Sequence, residues 1–193
     1  MNEQETRNGL MIRTVAGFCL NEGFAVVQQR KENAMISKQL VDFLDANGVK
    51  YVKITHSIAF TAQDVAESVH ISGKEMAKTV IVWMDGAMAM AVLPAFSMVD
   101  FTRLKEVTGT AGIEMASESE FKDRFPSCDV GAMPPFGNLY NMKVFVDALL
   151  AEDKEIAFNA GTHYELIRMP YADFKRLVKP VEVGFGFRKK LAS

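Results

Sequence analysis

Two apolar segments near the middle of the chain, separated by an Asp-Gly pair, form its clearest hydrophobic pattern. Thr79–Met84 contains no charged residue, which predicts a central strand buried on both faces. Asp85-Gly86 is a two-residue signal for a tight hairpin turn. We therefore expect Ala87–Leu93 to return as the partner strand and to end at Pro94.

Shorter elements are predicted on both sides of this hairpin. Helices are indicated by apolar positions at helical spacing next to capping residues, at residues 37–47, 61–69, 100–107, 117–125 and 171–178. Strands are indicated by short alternating or apolar stretches, at residues 51–55, 113–115, 143–147, 155–159 and 164–169. The two kinds of element follow each other without regular βαβ alternation. The predicted fold class is α/β (α+β mixed), a single domain with a mixed, partly antiparallel sheet surrounded by short helices.

Composition and charge argue against several classes of protein. The chain has 193 residues, of which 49% are hydrophobic, and a formal net charge of −2. That charge argues against sequence-blind coating of nucleic acid but leaves room for a local basic patch. Two cysteines, Cys19 and Cys128, cannot form a disulfide framework, and no secretory segment is recognised, so we expect a cytoplasmic protein. No apolar run approaches the ~20 residues of a membrane span.

Three segments are expected along the chain. Residues 1–34 differ in character and are predicted to be a loosely attached N-terminal extension, which an upstream start codon would add, since Met35 is a further methionine at the start of the predicted domain. Residues 35–180 form the predicted compact domain, and residues 181–193 a basic C-terminal tail. Residues 168–190 carry seven basic and two acidic side chains, a charge of +5. This cluster is either a phosphate-binding surface or a solvated helix face with a frayed tail.

A loop with two prolines between two glycines, Gly131–Gly137, is the first candidate for a site. Proline restricts φ and glycine permits close backbone approach, so the loop is stiff and suited to aim N–H groups into a pocket. The alternative is a tight connection with a buried phenylalanine.

Two further candidates are Lys78 and the segment Asn159–His163. Lys78 lies next to the central strand and places a positive charge at the sheet. This charge either binds a ligand or belongs to a lysine that extends from the edge of the core into solvent. Asn159–His163 joins two strands, either as a polar site or as a capped turn with an exposed histidine.

Familiar catalytic and metal-binding motifs are missing from the sequence. It has no GxSxG elbow, no P-loop, no GxGxxG after a strand, no Cys-x-x-Cys and no His-Glu-x-x-His. We therefore expect no structural zinc. Cys128 is interpreted as a small buried hydrophobic residue, because no local base accompanies it.

Several of these motifs, in their order and spacing, resemble those of the YbaK-like, prolyl-tRNA-synthetase-associated editing domains. The resemblance runs from about Met35 to Pro180 and rests on Ala77–Val82, the Gly131–Gly137 loop, Val146-Asp147 and Phe158–His163. It implies a freestanding aminoacyl-tRNA deacylase that hydrolyses the ester of a mischarged small amino acid such as Ala, Cys or Ser, on tRNA-Pro or a similar tRNA. It also implies that no metal and no organic cofactor are required. The expected partners are tRNA and, as a further candidate, an aminoacyl-tRNA synthetase, with no membrane.

The resemblance also implies roles for particular residues. Lys78 corresponds to the family lysine and is predicted to anchor the terminal phosphate or the acyl end, and His163 to position the water or a ribose hydroxyl. A hydroxyl of the tRNA itself is the implied proton shuttle. Thr79 stands where some alanine-specific members have Asn, and Met133 is expected to set the size of the pocket. The remaining predicted substrate-binding residues come from the loop and the turn: Gly131, Ala132, Pro134, Pro135, Phe136, Gly137, Asn159, Gly161 and Thr162.

The competing interpretation is a non-catalytic module that binds aminoacyl-tRNA or a synthetase. Such a module would keep Lys78 for binding and show no turnover. A small-molecule esterase or amidase is disfavoured by the missing GxSxG elbow and by the absence of a paired Ser–His signature.

Overall fold

The computed structural model describes residues 37–56, 61–68 and 71–188. These residues belong to one compact unit. The predicted extension over residues 1–34 and the last five residues, 189–193, lie outside the described residues. The domain boundaries predicted there stay predictions.

A mixed eight-stranded sheet forms the centre of the fold, and a separate two-stranded sheet lies beside it. The strands are β1 Val52–Thr55, β2 Met76–Met84, β3 Ala87–Pro94, β4 Ser97–Val99, β5 Ile113–Met115, β6 Lys143–Asp147, β7 Glu155–Thr162, β8 Glu165–Pro170, β9 Val181–Val183 and β10 Gly186–Arg188. The large sheet has the order β1-β8-β7-β2-β3-β6-β9, with β5 also paired to β2, and the small one joins β10 to β4. Parallel pairs (β2 with β7, β3 with β6, β6 with β9) occur beside antiparallel ones. The predicted mixed sheet is thus confirmed.

Six short α-helices surround the sheets in the described part of the chain. Local capping explains where several of them begin. The Asp100 carboxylate accepts the N–H of Arg103, and the Thr61 hydroxyl accepts the N–H of Asp64, as the sequence predicts. Ser117 begins its helix with a reciprocal capping box to Glu120. The helices are α1 Lys38–Ala46, α2 Ala62–Ser68, α3 Phe101–Thr108, α4 Glu118–Phe121, α5 Ala148–Ala151 and α6 Tyr171–Val178.

The central hairpin is confirmed, with one correction to its burial. Asp85 and Gly86 both have positive φ, 49° and 80°, the conformation of the favoured two-residue turn. β2, however, begins at Met76, so Lys78 lies inside the strand instead of before it. Its residues are also not buried on both faces throughout, because Thr79, Val80 and other positions are partly exposed.

The partial exposure of β2 follows from how its second edge is paired. Along one edge it pairs with β3 over its whole length. Along the other edge it pairs with β7 only at Met76 and Ala77, and with β5 only from Val82 onward. Among the described residues, no strand therefore pairs with the edge of β2 from Lys78 to Ile81. This divergence of β2 from β7 leaves an opening at the centre of the sheet.

The main hydrophobic core packs on one face of the sheet, and Phe136 lies at its centre. Phe136 is fully buried, and its ring contacts those of Phe43, Phe158 and Phe174 at centroid distances of 6.1, 5.6 and 5.6 Å. Burying one such ring is worth roughly 1.5–3 kcal/mol. The proline-containing loop is therefore fixed to the core by its phenylalanine.

The C-terminal segment corrects the prediction of a tail over residues 181–193. Residues 181–183 form β9, which pairs with β6, and residues 186–188 form β10, which pairs with β4. The predicted tail is thus part of the sheets as far as residue 188. Such short strands carry little local signal and are held by pairing with distant segments.

A buried carboxylate holds this C-terminal segment. Asp147 is 1% exposed and accepts the backbone N–H groups of Leu149, Phe185 and Gly186 at 3.1, 2.8 and 2.6 Å. The first bond caps α5, and the other two join the segment between β9 and β10 to the end of β6. A buried charge with several donors is tolerated because its hydrogen-bonding capacity is met.

Candidate active site

A cavity of about 380 Å³ opens beside β2 where this strand diverges from β7. It draws residues from the two strands, from the start of α2, from the end of the β2–β3 hairpin and from the proline loop. Four of the predicted site residues, Lys78, Gly131, Met133 and Asn159, therefore meet in one place. The described lining residues are Thr61, Ala62, Gln63, Ala77, Lys78, Thr79, Ala95, Gly131, Met133 and Asn159.

Lys78 is the only charged side chain among the described residues that line this cavity. It is half-buried, and its Nζ donates a hydrogen bond to the Ala95 carbonyl at 3.2 Å. Burial lowers the pKa of Lys78 from its ordinary value, because a desolvated ammonium is less stable than a hydrated one. An ammonium has three protons to donate, so it can bind a further acceptor beside Ala95. The cavity is thus suited to a phosphate or a carbonyl oxygen.

The first half of the proline loop forms one wall of the cavity. Gly131 adopts a φ of +89°, which favours glycine, and its N–H contacts the Met133 Sδ at 3.2 Å. The Ala132 N–H donates to the Asp129 carbonyl and is therefore already occupied. The Met133 N–H has no acceptor among the described residues. Because a thioether is a weak acceptor, Gly131 and Met133 are the loop N–H groups best able to bind a substrate oxygen.

The second half of the loop is part of the core and does not line the cavity. Pro134, Pro135, Phe136 and Gly137 are buried, and the Phe136 N–H donates to the Pro134 carbonyl at 2.8 Å. A Cβ at Gly137 would lie 2.6 Å from the Met142 carbonyl oxygen. This glycine is therefore explained by packing. The predicted substrate-binding role of these four residues receives no support from their positions.

Asn159 reaches the cavity from the strand opposite Lys78. It directly follows Phe158, the last residue of β7 that pairs with β2, and precedes an irregularity in the pairing of β7 with β8. Its side-chain Oδ1 is buried and has no hydrogen-bond donor. Buried polar atoms in folded proteins are nearly always hydrogen-bonded. The Asn159 side chain therefore lines the cavity with other atoms, while this oxygen is out of contact with the open space.

His163 lies against the loop and outside the set of residues that line the cavity. Its Nε2 donates to the Val130 carbonyl at 3.0 Å, and a Cβ at Gly131 would lie 3.5 Å from its ring. The backbone N–H of His163 also donates to the Asp129 carboxylate at 3.3 Å. The geometry therefore places His163 where it supports the loop, and a direct catalytic role stays a prediction.

The other residues of the predicted turn, Gly161 and Thr162, make contacts that stabilise the fold. Gly161 has a φ of +105°, and a Cβ there would lie 3.2 Å from the Ser37 backbone nitrogen. Its N–H donates to the Ala132 carbonyl, which ties the turn to the loop. Thr162 is buried, and its hydroxyl lies 3.5 Å from the Glu165 carboxylate. The cavity wall is therefore supported, but not lined, by Ala132, Gly161 and Thr162.

Cys128 has the properties of a packing residue. It is half-buried, and its Sγ lies 3.7 Å from the Tyr140 hydroxyl. Burial raises the pKa of the Cys128 thiol, so the reactive thiolate is disfavoured at neutral pH. This agrees with its interpretation as a small hydrophobic residue.

Thr61, Gln63 and Ala95 line the cavity but were not among the residues predicted for the site. Thr61 and Gln63 belong to the start of α2, and Ala95 follows β3. Only the capping signal at Thr61 was visible in the sequence, and it indicates a helix start and not a pocket. Their proximity to Lys78 depends on the packing of α2 and on the register of the hairpin.

A larger cavity of about 660 Å³ lies at the other end of the hairpin, near Asp85. It contains none of the predicted site residues. Met84 lies six positions after Lys78 in β2, which is about 20 Å along an extended strand. The two cavities are therefore separate.

Within residues 37–56, 61–68 and 71–188, no group of three His, Cys, Asp or Glu side chains is placed to hold a metal ion. No helix in the same part of the chain is long and apolar enough to cross a membrane.

The mixed sheet and the cavity between Lys78 and the Gly131–Gly137 loop agree with the resemblance to the aminoacyl-tRNA editing domains. The family model for the aminoacyl-tRNA editing domain matches residues 56–177, more than half of the chain, and the chain belongs to this family. The predicted YbaK-like family and the predicted class of enzyme, an aminoacyl-tRNA deacylase, are thereby confirmed.

Individual relatives agree with this assignment. The Multifunctional Ser/Thr-tRNA deacylase ProXp-y of Escherichia coli strain K12 is 28% identical over 159 residues, which cover 80% of this chain and 95% of that protein. A solved structure described as "a putative trans-editing enzyme for prolyl tRNA synthetase" has a TM-score of 0.67 at 17% identity, over 78% of this chain and 96% of that one. The structure of hypothetical protein APE2540 has a TM-score of 0.70 at 20% identity, over 78% and 100%. At these identities the two structures support the fold alone.

Proposed function

We propose that this protein hydrolyses, in trans, the ester that links a small amino acid to the 3′ end of a mischarged tRNA. The observation that carries the proposal is the half-buried Lys78 in a cavity walled by Gly131 and Met133, within a chain of the editing-domain family. Ala, Cys and Ser on tRNA-Pro or a similar tRNA are the first candidates from the sequence. The name of the Ser/Thr-tRNA deacylase relative adds threonine to these candidate amino acids and gives further support to serine.

The protein does not need to supply a strong nucleophile, because an aminoacyl ester is already activated towards hydrolysis. The water oxygen forms a bond to the carbonyl carbon, and the bond from that carbon to the ribose oxygen breaks. One water proton ends on the ribose hydroxyl, and the other is carried by the released carboxyl group. A neighbouring ribose hydroxyl acts as the shuttle. The protein's task is to hold the ester and to stabilise the negative charge that develops on its carbonyl oxygen.

The loop N–H groups are the proposed donors to that oxygen. The Met133 N–H has no acceptor among the described residues, and the Gly131 N–H has only the Met133 sulfur. A substrate oxygen is a stronger acceptor than a thioether and displaces it. One preorganised donor of this kind contributes on the order of 3 kcal/mol to the transition state.

Lys78 is the proposed anchor. Its ammonium already donates to the Ala95 carbonyl, which fixes its direction, and a second donation binds the terminal phosphate or the acyl oxygen. His163 is proposed to act as a positioning residue, which holds Gly131 through the Val130 carbonyl and keeps the loop aligned with the ester.

Size exclusion is the proposed basis of selectivity. Met133 is 5% exposed and lines the cavity, so its side chain limits the acyl group that fits. One methylene is worth only about 1–3 kcal/mol of attraction, which makes steric exclusion the more effective device.

A single-turnover assay with purified protein and tRNAs charged with Ala, Cys, Ser, Thr or Pro tests this proposal. Amino-acid release from at least one small-side-chain substrate, and little from a larger one, is the expected result. Binding of the charged tRNAs without release from any of them would instead identify the non-catalytic module. Addition of a synthetase to the same reactions tests whether a second protein contributes.

A further inference from the structure

The basic cluster of residues 168–190 contains side chains that are paired within the fold and an arginine that is not. Arg188, at the end of β10, is exposed, and its side chain forms no ion pair or hydrogen bond with any described residue. Its guanidinium therefore has unused donors for an anion. Three other members of the cluster are neutralised by ion pairs, Arg168 with Glu155 at 3.0 Å, Lys175 with Glu182 at 2.7 Å and Arg176 with Asp173 at 2.9 Å.

Arg188 is held against an aromatic ring. Its Cζ lies over the Phe96 ring, 3.9 Å from the ring centre. The pairing of β10 with β4 places Arg188 opposite Ser97, the residue after Phe96. A guanidinium that lies on a ring keeps its N–H groups along its edge, where two of them can donate to one phosphate. The arginine thus combines a fixed position with free donors.

Phe96 connects this arginine to the cavity. It directly follows Ala95, which lines the cavity and whose carbonyl accepts the Lys78 ammonium at 3.2 Å. That bond, the 3.9 Å contact with the ring and standard covalent geometry together limit the distance from Lys78 Nζ to Arg188 Cζ to at most about 14 Å. Arg188 therefore lies near the cavity, although it does not line it.

Two cations at this separation are matched to a strand that carries successive phosphates. A stacked nucleic-acid strand has one phosphate about every 3.4 Å along its axis, so at most about four nucleotides span the distance from Lys78 to Arg188. A single small anion reaches only one of the two side chains. The unpaired 3′ end of a tRNA, with its terminal ester in the cavity, reaches both.

We infer that Arg188, positioned by Phe96, binds a backbone phosphate of the tRNA 3′ end upstream of the terminal nucleotide. This inference rests on the proposed function and extends the site from the ester to the strand that carries it. Its consequence is that part of the affinity for tRNA comes from outside the cavity. A substrate that ends at the terminal nucleoside makes no use of Arg188.

Ligands of different length isolate this contact. Binding of amide-linked, non-hydrolysable seryl-tRNA and seryl-adenosine to the full-length protein is measured over a range of salt concentrations. Arg188→Gln is expected to weaken binding of the tRNA analogue roughly 5- to 30-fold and to lower the salt slope by about 1. The adenosine analogue changes by less than about 2-fold, because it has no upstream phosphate. Arg124→Gln, at an exposed arginine outside the cavity lining, is the matched control.

A second variant tests the role of the ring. Phe96→Leu keeps the charge of Arg188 but removes the surface on which it lies. It is expected to weaken binding of the tRNA analogue about 2- to 5-fold with little change in the salt slope, because the number of phosphates neutralised stays the same. The midpoint of thermal unfolding shows whether each variant folds.

The outcomes separate this inference from the proposed function. Unchanged tRNA affinity and salt slope in Arg188→Gln would overturn it. An equal loss for seryl-tRNA and seryl-adenosine would do the same, since the effect would then lie inside the cavity, and so would an equal loss in Arg124→Gln, which indicates a general effect of charge. Absence of turnover with every charged tRNA would contradict the proposed function alone, because the phosphate contact is measured by binding without reaction.

Discussion

Replacing Lys78 by methionine removes the only charge that the described residues bring to the cavity while keeping an unbranched apolar side chain of similar length. The lost interaction with substrate is a charge-assisted hydrogen bond at a half-buried site, worth about 1.5–3 kcal/mol. We therefore expect kcat/KM for the preferred mischarged tRNA to fall roughly 10- to 150-fold.

Stability responds differently from activity in this variant. Burial lowers the pKa of Lys78, which means that the folded state binds this proton less tightly than the unfolded state does. Below the folded pKa the charged lysine therefore opposes folding, and methionine removes that cost. The loss of the bond to Ala95 acts in the other direction by about 1 kcal/mol. The two effects oppose each other, so we expect the free energy of unfolding to change by no more than about 1 kcal/mol.

The assay compares single-turnover deacylation at pH 7 with urea unfolding for the same preparations. Lys74→Met is the matched control, because Lys74 is exposed and does not line the cavity. Wild-type activity in Lys78→Met would refute the anchor role. So would an equal loss of activity in both variants, since that pattern indicates a general effect of charge on tRNA binding.

Four further predictions follow from the same contacts. Binding of a non-hydrolysable aminoacyl analogue should weaken as alkaline pH removes the Lys78 proton, with a midpoint below 10.5 that Lys78→Met lacks, as calorimetry across pH would show. Gly137→Ala should lower the free energy of unfolding by about 1–3 kcal/mol because of the 2.6 Å approach to Met142, while Gly112→Ala, with no atom nearer than 4.0 Å, changes it by less than about 0.5 kcal/mol. Asp147→Ala should cost about 3 kcal/mol in the same unfolding assay, since three N–H groups lose their acceptor. Met133→Ala should raise the rate on a larger acyl group relative to alanyl-tRNA, and an unchanged ranking of substrates would exclude a role for Met133 as the size limit.

Local signals in the sequence were sufficient for most of the secondary structure. Asp85-Gly86 specifies its turn because both residues tolerate positive φ, and Asp100 begins its helix through a bond only three residues long. Such features depend on neighbouring residues alone, so they can be recognised without the fold.

Features that depend on distant segments were not predicted. The strands at 181–183 and 186–188 are three residues long and are held by β6, β4 and the Asp147 carboxylate. The cavity itself arises because β7 diverges from β2 after Ala77. No sequence pattern in either strand indicates this divergence. For the same reason, the loop could be recognised as a candidate wall, but its division into a cavity-lining half and a core half could not.

The most direct test of the central claim is the single-turnover release of amino acid from a panel of charged tRNAs by the purified full-length protein. The account predicts rapid release from at least one tRNA charged with a small amino acid, such as alanine, cysteine, serine or threonine, and little release from a bulkier aminoacyl-tRNA. Tight binding of these tRNAs with no release of any amino acid would contradict it.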